Sequence, residues 1–517
     1  MGAQTRVGRW SLAAVVALAC AAQLAVLASK DVLILEWRPT DLAAIALNYY
    51  RSGFHFLYPQ VLWGGAGPGY VEMEFPLVPY SIAVLYAVFG VHGWLALVWP
   101  ALSGIGLVAV VYAFARRFYG PLAGLVAGVF AATAPTWVDM TTGLWPDAPP
   151  VFFGALGLYW LSAWAEGDAH WGLVLSACCV SLAILLKMTS LYLGLPVFFL
   201  LWQKYQGGWW RTSQAWLFAL VALVPSVLWY GHAYGLFLRY SNTFGILGGG
   251  YLKFATAALL TSPRFYLRTF LRLLLFHVTP LGGLLVAVGL ASRIDRPDQM
   301  LLPVWLGTIV LYLLVAAQGV DMGHAQYALP LVPPCAILAG RGFVAIYRRL
   351  DALLSARSHV VSRVVGMVVV GLLAANAAAA NYGYQTRGTG FRKLSRQKMR
   401  TGVAVATRTP PGALIVVVDG DMNGRAPERS MTPPEVFYFS DRRGWYRAMA
   451  WLTNESIDGL RLRGAAYLVV SANDAGAFRR DYAGFYREYA RRYQLIMDNE
   501  DGILYALGDG PGHANAR

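Results

Sequence analysis

The chain has 517 residues, is 57% hydrophobic and 13% charged, and carries a formal charge of +15. Its mean hydropathy of +0.49 excludes an ordinary soluble protein and describes a polytopic membrane protein. In such a protein the basic excess is an orientation signal, and nucleic acid is not an expected partner. Residues 1–380 hold 35 of the 69 charged side chains and residues 381–517 the other 34. That shift puts a boundary near Ala380, between a membrane domain (1–380) and a soluble α/β domain (381–517). The four cysteines, Cys20, Cys178, Cys179 and Cys335, lie in apolar runs and read as core residues, with no disulfide or metal framework.

Taken in order, the expected spans are 10–28, 94–115, 120–136, 147–165, 170–186, 189–203, 214–231, 278–292, 299–317, 326–346 and 361–380, with a short apolar segment at 76–91. The first span contains small-residue triplets but none after its apolar run, so it is expected to be retained. Between it and the next elements, Lys30–Tyr80 reads as a loop at the membrane surface. It holds five of the thirteen acids found before residue 381, namely Asp31, Glu36, Asp41, Glu72 and Glu74, interleaved with ten aromatics. A carboxylate beside hydrocarbon is costly and persists where it does chemistry or finds a partner. The stretch 40–50 is expected to form an interfacial helix with Thr40 or Asp41 at its start, displaying Asp41 at the mouth of the membrane domain.

Lys and Arg collect at Arg6/Arg9, Arg116/Arg117, Lys204/Arg211, Arg293/Arg296 and Arg348–Arg363. All fall on the cytoplasmic side if 76–91 dips in and returns. That count puts the first loop, Asp139, Asp147, Lys187, the 231–279 loop and Asp321–Tyr327 on the opposite face, followed by the tail. Singly, a lysine at a helix end usually snorkels and Pro-Asp is a common turn; their convergence on one face is the functional signal. In PRFYLRTFLRLLLFH, Arg264, Arg268 and Arg272 recur at i, i+4. They mark an amphipathic headgroup-level helix suited either to anionic lipid or to a lipid-borne phosphate. His324 and Tyr327 precede a proline-loosened span and face the same loop. In the tail, 412–421, 465–474 and 493–508 read as strands, and 444–456 and 475–493 as helices.

Several pieces, in order, resemble the GT-C class of membrane glycosyltransferases that use polyprenyl-phosphate sugars. Within it they resemble the bacterial family of the lipid A aminoarabinose transferase, the rhizobial galacturonic-acid transferases and relatives of protein O-mannosyltransferases. The pieces are RPTDLAAIALNYY around Asp41, EFPLVPYSIAVLYAVFG from Glu74, ARRFYG from Ala115, PDAPPVFF from Pro146, LKMTSLYLGLP from Leu186 and HAQYALPLVPPCAILAG from His324. They cover about residues 10–347. The aminoarabinose branch has Glu-Lys-Pro-Pro where this chain has Glu74-Phe75-Pro76-Leu77. The missing lysine argues against that substrate and shifts the donor phosphate to Lys187 and the arginine stripe.

The resemblance implies a GT-C-like fold of about 11–13 transmembrane helices with an extracytoplasmic C-terminal α/β domain, in a bacterial inner membrane. It implies an inverting transfer from a polyprenyl-phosphate sugar to a cell-envelope acceptor (lipid, polysaccharide or protein) on the outer face. Asp41 is the expected base, Glu74 and Asp147 position acceptor or a cation, and Lys187, Arg264, Arg268, Arg272, His324 and Tyr327 contact donor phosphate. Asp41, Glu72, Glu74, Asp147 and His324 offer oxygen and nitrogen ligands, yet that branch does not generally need a catalytic metal, so no metal or other cofactor is expected. A lipid-linked glycan flippase, or a ligase or polymerase of preassembled glycans, is the alternative. The flippase predicts midplane charges and paired repeats, neither of which stands out in the sequence.

Overall fold

The computed structural model describes residues 2–29, 36–167, 171–248, 253–354, 389–420 and 434–508, with short pieces between 368 and 383. The expected span at 361–380 lies largely outside the described residues. The chain divides into two compact units that interleave along the sequence: residues 1–31, 97–229 and 252–387 form the first, and residues 32–96, 230–251 and 388–517 the second. The second unit is thus the tail together with the first loop region and a short central segment.

The first unit is a bundle of apolar helices. Five described helices are long and apolar enough to cross a membrane: Ser11–Ala28, Gly93–Tyr119, Ser213–Tyr240, Pro297–Val315 and Ala325–Ala352. Two bent pairs, Pro121–Thr133 with Pro135–Thr141 and Pro263–Val278 with Pro280–Ala291, raise the number to seven. Other apolar runs that the sequence counts as spans are built as shorter or broken helices. Gly172–Leu186 and Gly194–Tyr205, for instance, are separated by the 3₁₀ turn Met188–Leu193.

Basic residues gather at one end of this bundle. Arg117 donates to Glu166 at 2.9 Å, and Lys204 to the carbonyls of Trp164 and Ala165 at 3.0 and 3.2 Å. Arg341 donates to the carbonyls of Ser292 and Arg293 and lies over the Tyr119 ring, while Arg296 lies over Phe118. Asp147 stands at the opposite end of Ala148–Ala165, about 27 Å away at the α-helical rise.

The second unit is built around the helix Trp37–Ser52. Its Leu-Ala-Ala-Ile-Ala-Leu centre is strongly helix-forming, and Pro39 sits in the first turn, where its missing N–H costs little. Gly53, at φ +95°, ends it by returning its N–H to the Tyr49 carbonyl in the left-handed geometry that glycine allows. The helix starts three residues before the expected Thr40, whose hydroxyl instead donates to the Glu36 carbonyl at 2.8 Å. Leu77–Phe89 packs beside it through Tyr49, Tyr80, Phe54 and Phe56. At thirteen residues it is about 20 Å long, short of the ~30 Å hydrocarbon layer.

The tail folds as a five-stranded sheet, β1 (Leu414–Asp419), β2 (Arg443–Ala448), β3 (Ala465–Ser471), β4 (Gln494–Asn499) and β5 (Gly502–Ala506), in the order β2-β1-β3-β5-β4. β1 runs parallel to β2 and β3, while β5 is antiparallel to β3 and β4. The segment expected as a helix at 444–456 is strand β2, a 3₁₀ turn and then the helix Asn454–Leu462. The helix expected at 475–493 is two, Ala472–Asp481 and Ala483–Arg492.

Candidate active site

Asp41 lies in the first turns of Trp37–Ser52, and residues Arg38 to Ala46 of that helix are all buried. Only 1% of Asp41 is exposed, so it is not displayed at a surface as the sequence suggested. The loop 59–71 covers it. That loop closes as a small hairpin, with Val61 N–H bonded to the Gly69 carbonyl at 2.8 Å and Val71 N–H to the Pro59 carbonyl at 3.0 Å. Gly69, at φ +71°, is needed there, since a Cβ would collide with the Val61 carbonyl. The hairpin presents Trp63, whose indole N–H donates to Asp41 Oδ1 at 3.0 Å. Oδ2 is buried and has no hydrogen-bond partner among the described residues. Burial pushes the Asp41 carboxyl up to about 8, against the Trp63 bond and the charge of Arg38, with Glu435 adding to the rise.

Arg38 is one helical turn from Asp41, yet its guanidinium pairs with Glu74 and stacks 3.9 Å from the Phe244 ring centroid. Glu74 is therefore a partner of Arg38, which holds the start of the helix to the loop. Glu72, considered as a metal ligand, is fully buried and accepts from the Thr243 hydroxyl, Leu247 N–H at 2.6 Å and Ile246 N–H at 3.4 Å. It clamps the 243–247 segment.

In the first unit, Asp147 and Lys187 meet, with Nζ to Oδ1 at 2.7 Å. Asp147 precedes Ala148–Ala165 and Lys187 ends Gly172–Leu186, so the ion pair ties two adjacent helix ends. His324 lies close enough to feel both charges. Burial and Lys187 push its imidazole down, Asp147 pulls it up, and Lys253 pushes it down again. Tyr327 stacks on Tyr312, which packs against Tyr192, giving the cluster an aromatic wall.

The arginine stripe is only partly free. Arg268 pairs with Asp321, and Arg272 donates to the carbonyls of Val320 and Asp321, both at 3.2 Å. Together they cap Ala317–Asp321, while Arg264 is exposed. Their helix is not the straight one expected over 263–277: Pro263–Arg272 passes into a π-helical turn at Leu273–Val278. It then bends by 98° at Thr279 (φ +61°) into Pro280–Ala291. Among the described residues, no three His, Cys, Asp or Glu side chains converge as a metal site.

The fold is that of the GT-C class, in an integral membrane protein. It is similar over 96% of the chain, and 97% of the other, to ArnT from Cupriavidus metallidurans bound to undecaprenyl phosphate (TM-score 0.64, 16% identity). The apo state of the same protein gives 0.65 and 17%. An oligosaccharyltransferase of Archaeoglobus fulgidus aligns over 96% of this chain and 73% of its own, with a TM-score of 0.58 and 11% identity. Residues 73–230 match the family described as dolichyl-phosphate-mannose-protein mannosyltransferase. Two putative mannosyltransferases of Bacillus subtilis, YkcB and YycA, are each 31% identical over 134 residues, or 26% of this chain. The chain spans about a fifth of the length of these curated relatives, 19%.

Sequence reasoning missed Arg38, Trp63, Lys253 and Glu435. Arg38 was within reach, standing one turn before Asp41 in EWRPTD. Trp63 reaches Asp41, and the helix of Glu435 reaches the helix of Asp41, only through long-range packing, for which the local sequence has no signal.

Proposed function

We propose that this protein is an inverting glycosyltransferase that moves a sugar from a polyprenyl phosphate to a hydroxyl-bearing cell-envelope acceptor. The observation that carries the reading is Asp41, a buried carboxyl with one oxygen held by an indole and the other uncommitted. The acceptor oxygen attacks the anomeric carbon as the bond to phosphate breaks, and Asp41 takes the hydroxyl proton. Lys187, the arginine stripe, His324 and Tyr327 serve the departing phosphate, while Glu74 and Asp147 act by holding Arg38 and Lys187. Support for the donor class comes from the fold shared with an ArnT crystallised with undecaprenyl phosphate. A donor carrying a preassembled glycan is the second reading, favoured by the fold shared with the oligosaccharyltransferase.

The test uses purified protein in lipid with envelope extract as acceptor. It offers one sugar on polyprenyl phosphate, the same sugar on a nucleotide, and an oligosaccharide on the lipid. Turnover with the polyprenyl-phosphate monosaccharide alone is expected; turnover with the nucleotide donor alone would sink the proposal.

We further propose that the second unit and the Asp147–Lys187 end face outward, across an inner membrane. The basic end of the first unit, a helix length from Asp147, supports this orientation, as does the shortness of Leu77–Phe89. In a background without native cysteines, a cysteine at His55 or Glu455 should label in intact cells with an impermeant thiol reagent. One at Arg349 should label only after lysis. Labels at 55 and 455 on opposite faces would break the assignment.

A further inference from the structure

The tail carries buried charge that this chemistry leaves unused. Lys398, on the helix Thr389–Arg408, pairs with Asp419 at the end of β1 at 2.7 Å, and both are buried. Glu435 begins the short helix Glu435–Ser440 and is 3% exposed. The Ser395 hydroxyl stands 3.5 Å from its Oε1, and its Oε2 is buried with no hydrogen-bond partner among the described residues. The Glu435–Ser440 helix packs on Trp37–Ser52, and Arg51 pairs with Asp441 at 2.6 Å to tie the two together. Ten residues before Arg51 is Asp41; six before Asp441 is Glu435. The two carboxyls are thus carried by packed neighbouring helices, and Glu435 adds to the upward push on Asp41.

We propose that Glu435 is a positioning residue that acts through Asp41, making the C-terminal domain part of the transfer machinery. The proposal rests on the transferase reading. The groups that act on the pair are the Trp63 indole and Arg38 at Asp41, with Glu74 on Arg38, and Lys398 and Ser395 at Glu435. Each nearby cation already has a carboxylate partner, Arg38 in Glu74 and Lys398 in Asp419. Two such groups in low dielectric resist sharing negative charge. Burial raises both carboxyls, but at Glu435 the charge of Lys398 and the Ser395 hydroxyl work against that rise, and whenever Glu435 is charged Asp41 is the stronger proton acceptor. The clamp on the loop points the same way. Gly444 of β2 receives Gly65 N–H on its carbonyl at 2.7 Å and donates its N–H to the Leu62 carbonyl at 3.0 Å. The domain that brings Glu435 thus also fixes the residues on either side of Trp63.

The test follows the Asp41 carboxyl as it titrates, by infrared difference against D41N in the intact protein, beside the pH profile of transfer. In E435Q the Asp41 midpoint and the acid limb of the rate should both move about one pH unit lower. The alkaline plateau should fall severalfold, and E435D should restore the wild-type curve. A folded E435Q with an unmoved midpoint overturns the proposal. If E435Q does not fold, S395A decides: a smaller shift in the same direction supports the proposal, and none overturns it. Because the infrared titration needs no turnover, an absence of transfer in the wild type would strike the transferase reading separately.

Discussion

The two buried aspartates assigned to chemistry are held in opposite ways. Asp147 has Lys187 at 2.7 Å, and its charge is matched. Asp41 has an arginine one turn away but does not get it, because Glu74 takes Arg38 and leaves Asp41 an indole N–H and one bare oxygen. A carboxylate already paired with a cation is a weak proton acceptor, whereas a desolvated one is a strong one. The contrast agrees with the proposed division, in which Asp41 takes the proton, as the sequence also suggests, and Asp147 places Lys187.

The harshest way to break this comparison is Asp41→Asn. Turnover should fall by roughly 10²–10⁴-fold, the usual cost of losing a general base; retention of more than about a tenth of wild-type turnover would remove Asp41 from that role. Folding should survive, since Asn resembles protonated Asp in shape and its carbonyl can still accept the Trp63 bond. The pH dependence of stability has a definite sign. Between the ordinary value of 3.8 and about 8, the folded state keeps a proton on Asp41 that the unfolded chain has released. Stability therefore declines as pH rises through that window and levels off above it. D41N should lose this component, so its melting temperature should gain on the wild type between pH 5 and pH 8. A parallel pair of melting curves would show that Asp41 is not desolvated. Turnover, which needs the carboxylate, should climb over the same range.

Lys187→Ala comes next. It leaves Asp147 buried without its cation, a loss that reaches about 3–5 kcal/mol for a fully buried pair. Lys187 is about a quarter exposed (27%), so a cost nearer 1–3 kcal/mol is expected, together with weaker donor use. The double variant D147N/K187M separates the two effects. It should recover much of the stability in a double-mutant cycle while donor use stays poor. If donor use recovered as well, Lys187 would be structural only.

The sequence made the membrane class, the helix carrying Asp41 and most of the tail strands readable, because these rest on local composition and period. It misjudged what depends on distant partners. Asp41 looked like an exposed interfacial acid since nothing local announces that Trp63 will cover it. Segment 444–456 looked like an amphipathic helix, yet Arg443–Ala448 is an edge strand paired to β1. There a Cβ on Gly444 would collide with the Ile415 carbonyl, and that constraint lives in the sheet and not in the segment. Lys187 and Asp147 were both picked out, but their pairing joins helix ends forty residues apart.

The smallest expected effect is in the arginine stripe, where the same contrast recurs on one helix. Arg268 is matched by Asp321, at 40% and 24% side-chain exposure, and Arg264 is exposed. A half-exposed ion pair contributes at most about 1 kcal/mol, so R268A should lower the melting temperature slightly and R264A not at all. Donor binding need not follow stability. An exposed guanidinium keeps its full set of donors for a phosphate, whereas Arg268 must first release Asp321. If the stripe serves lipid phosphate, R264A should raise the donor KM at least as much as R268A does, and D321N should lower it by freeing Arg268. A donor KM unchanged in R264A and raised in D321N would mean that the Arg268–Asp321 pair is scaffold and that phosphate recognition belongs to the Lys187 cluster.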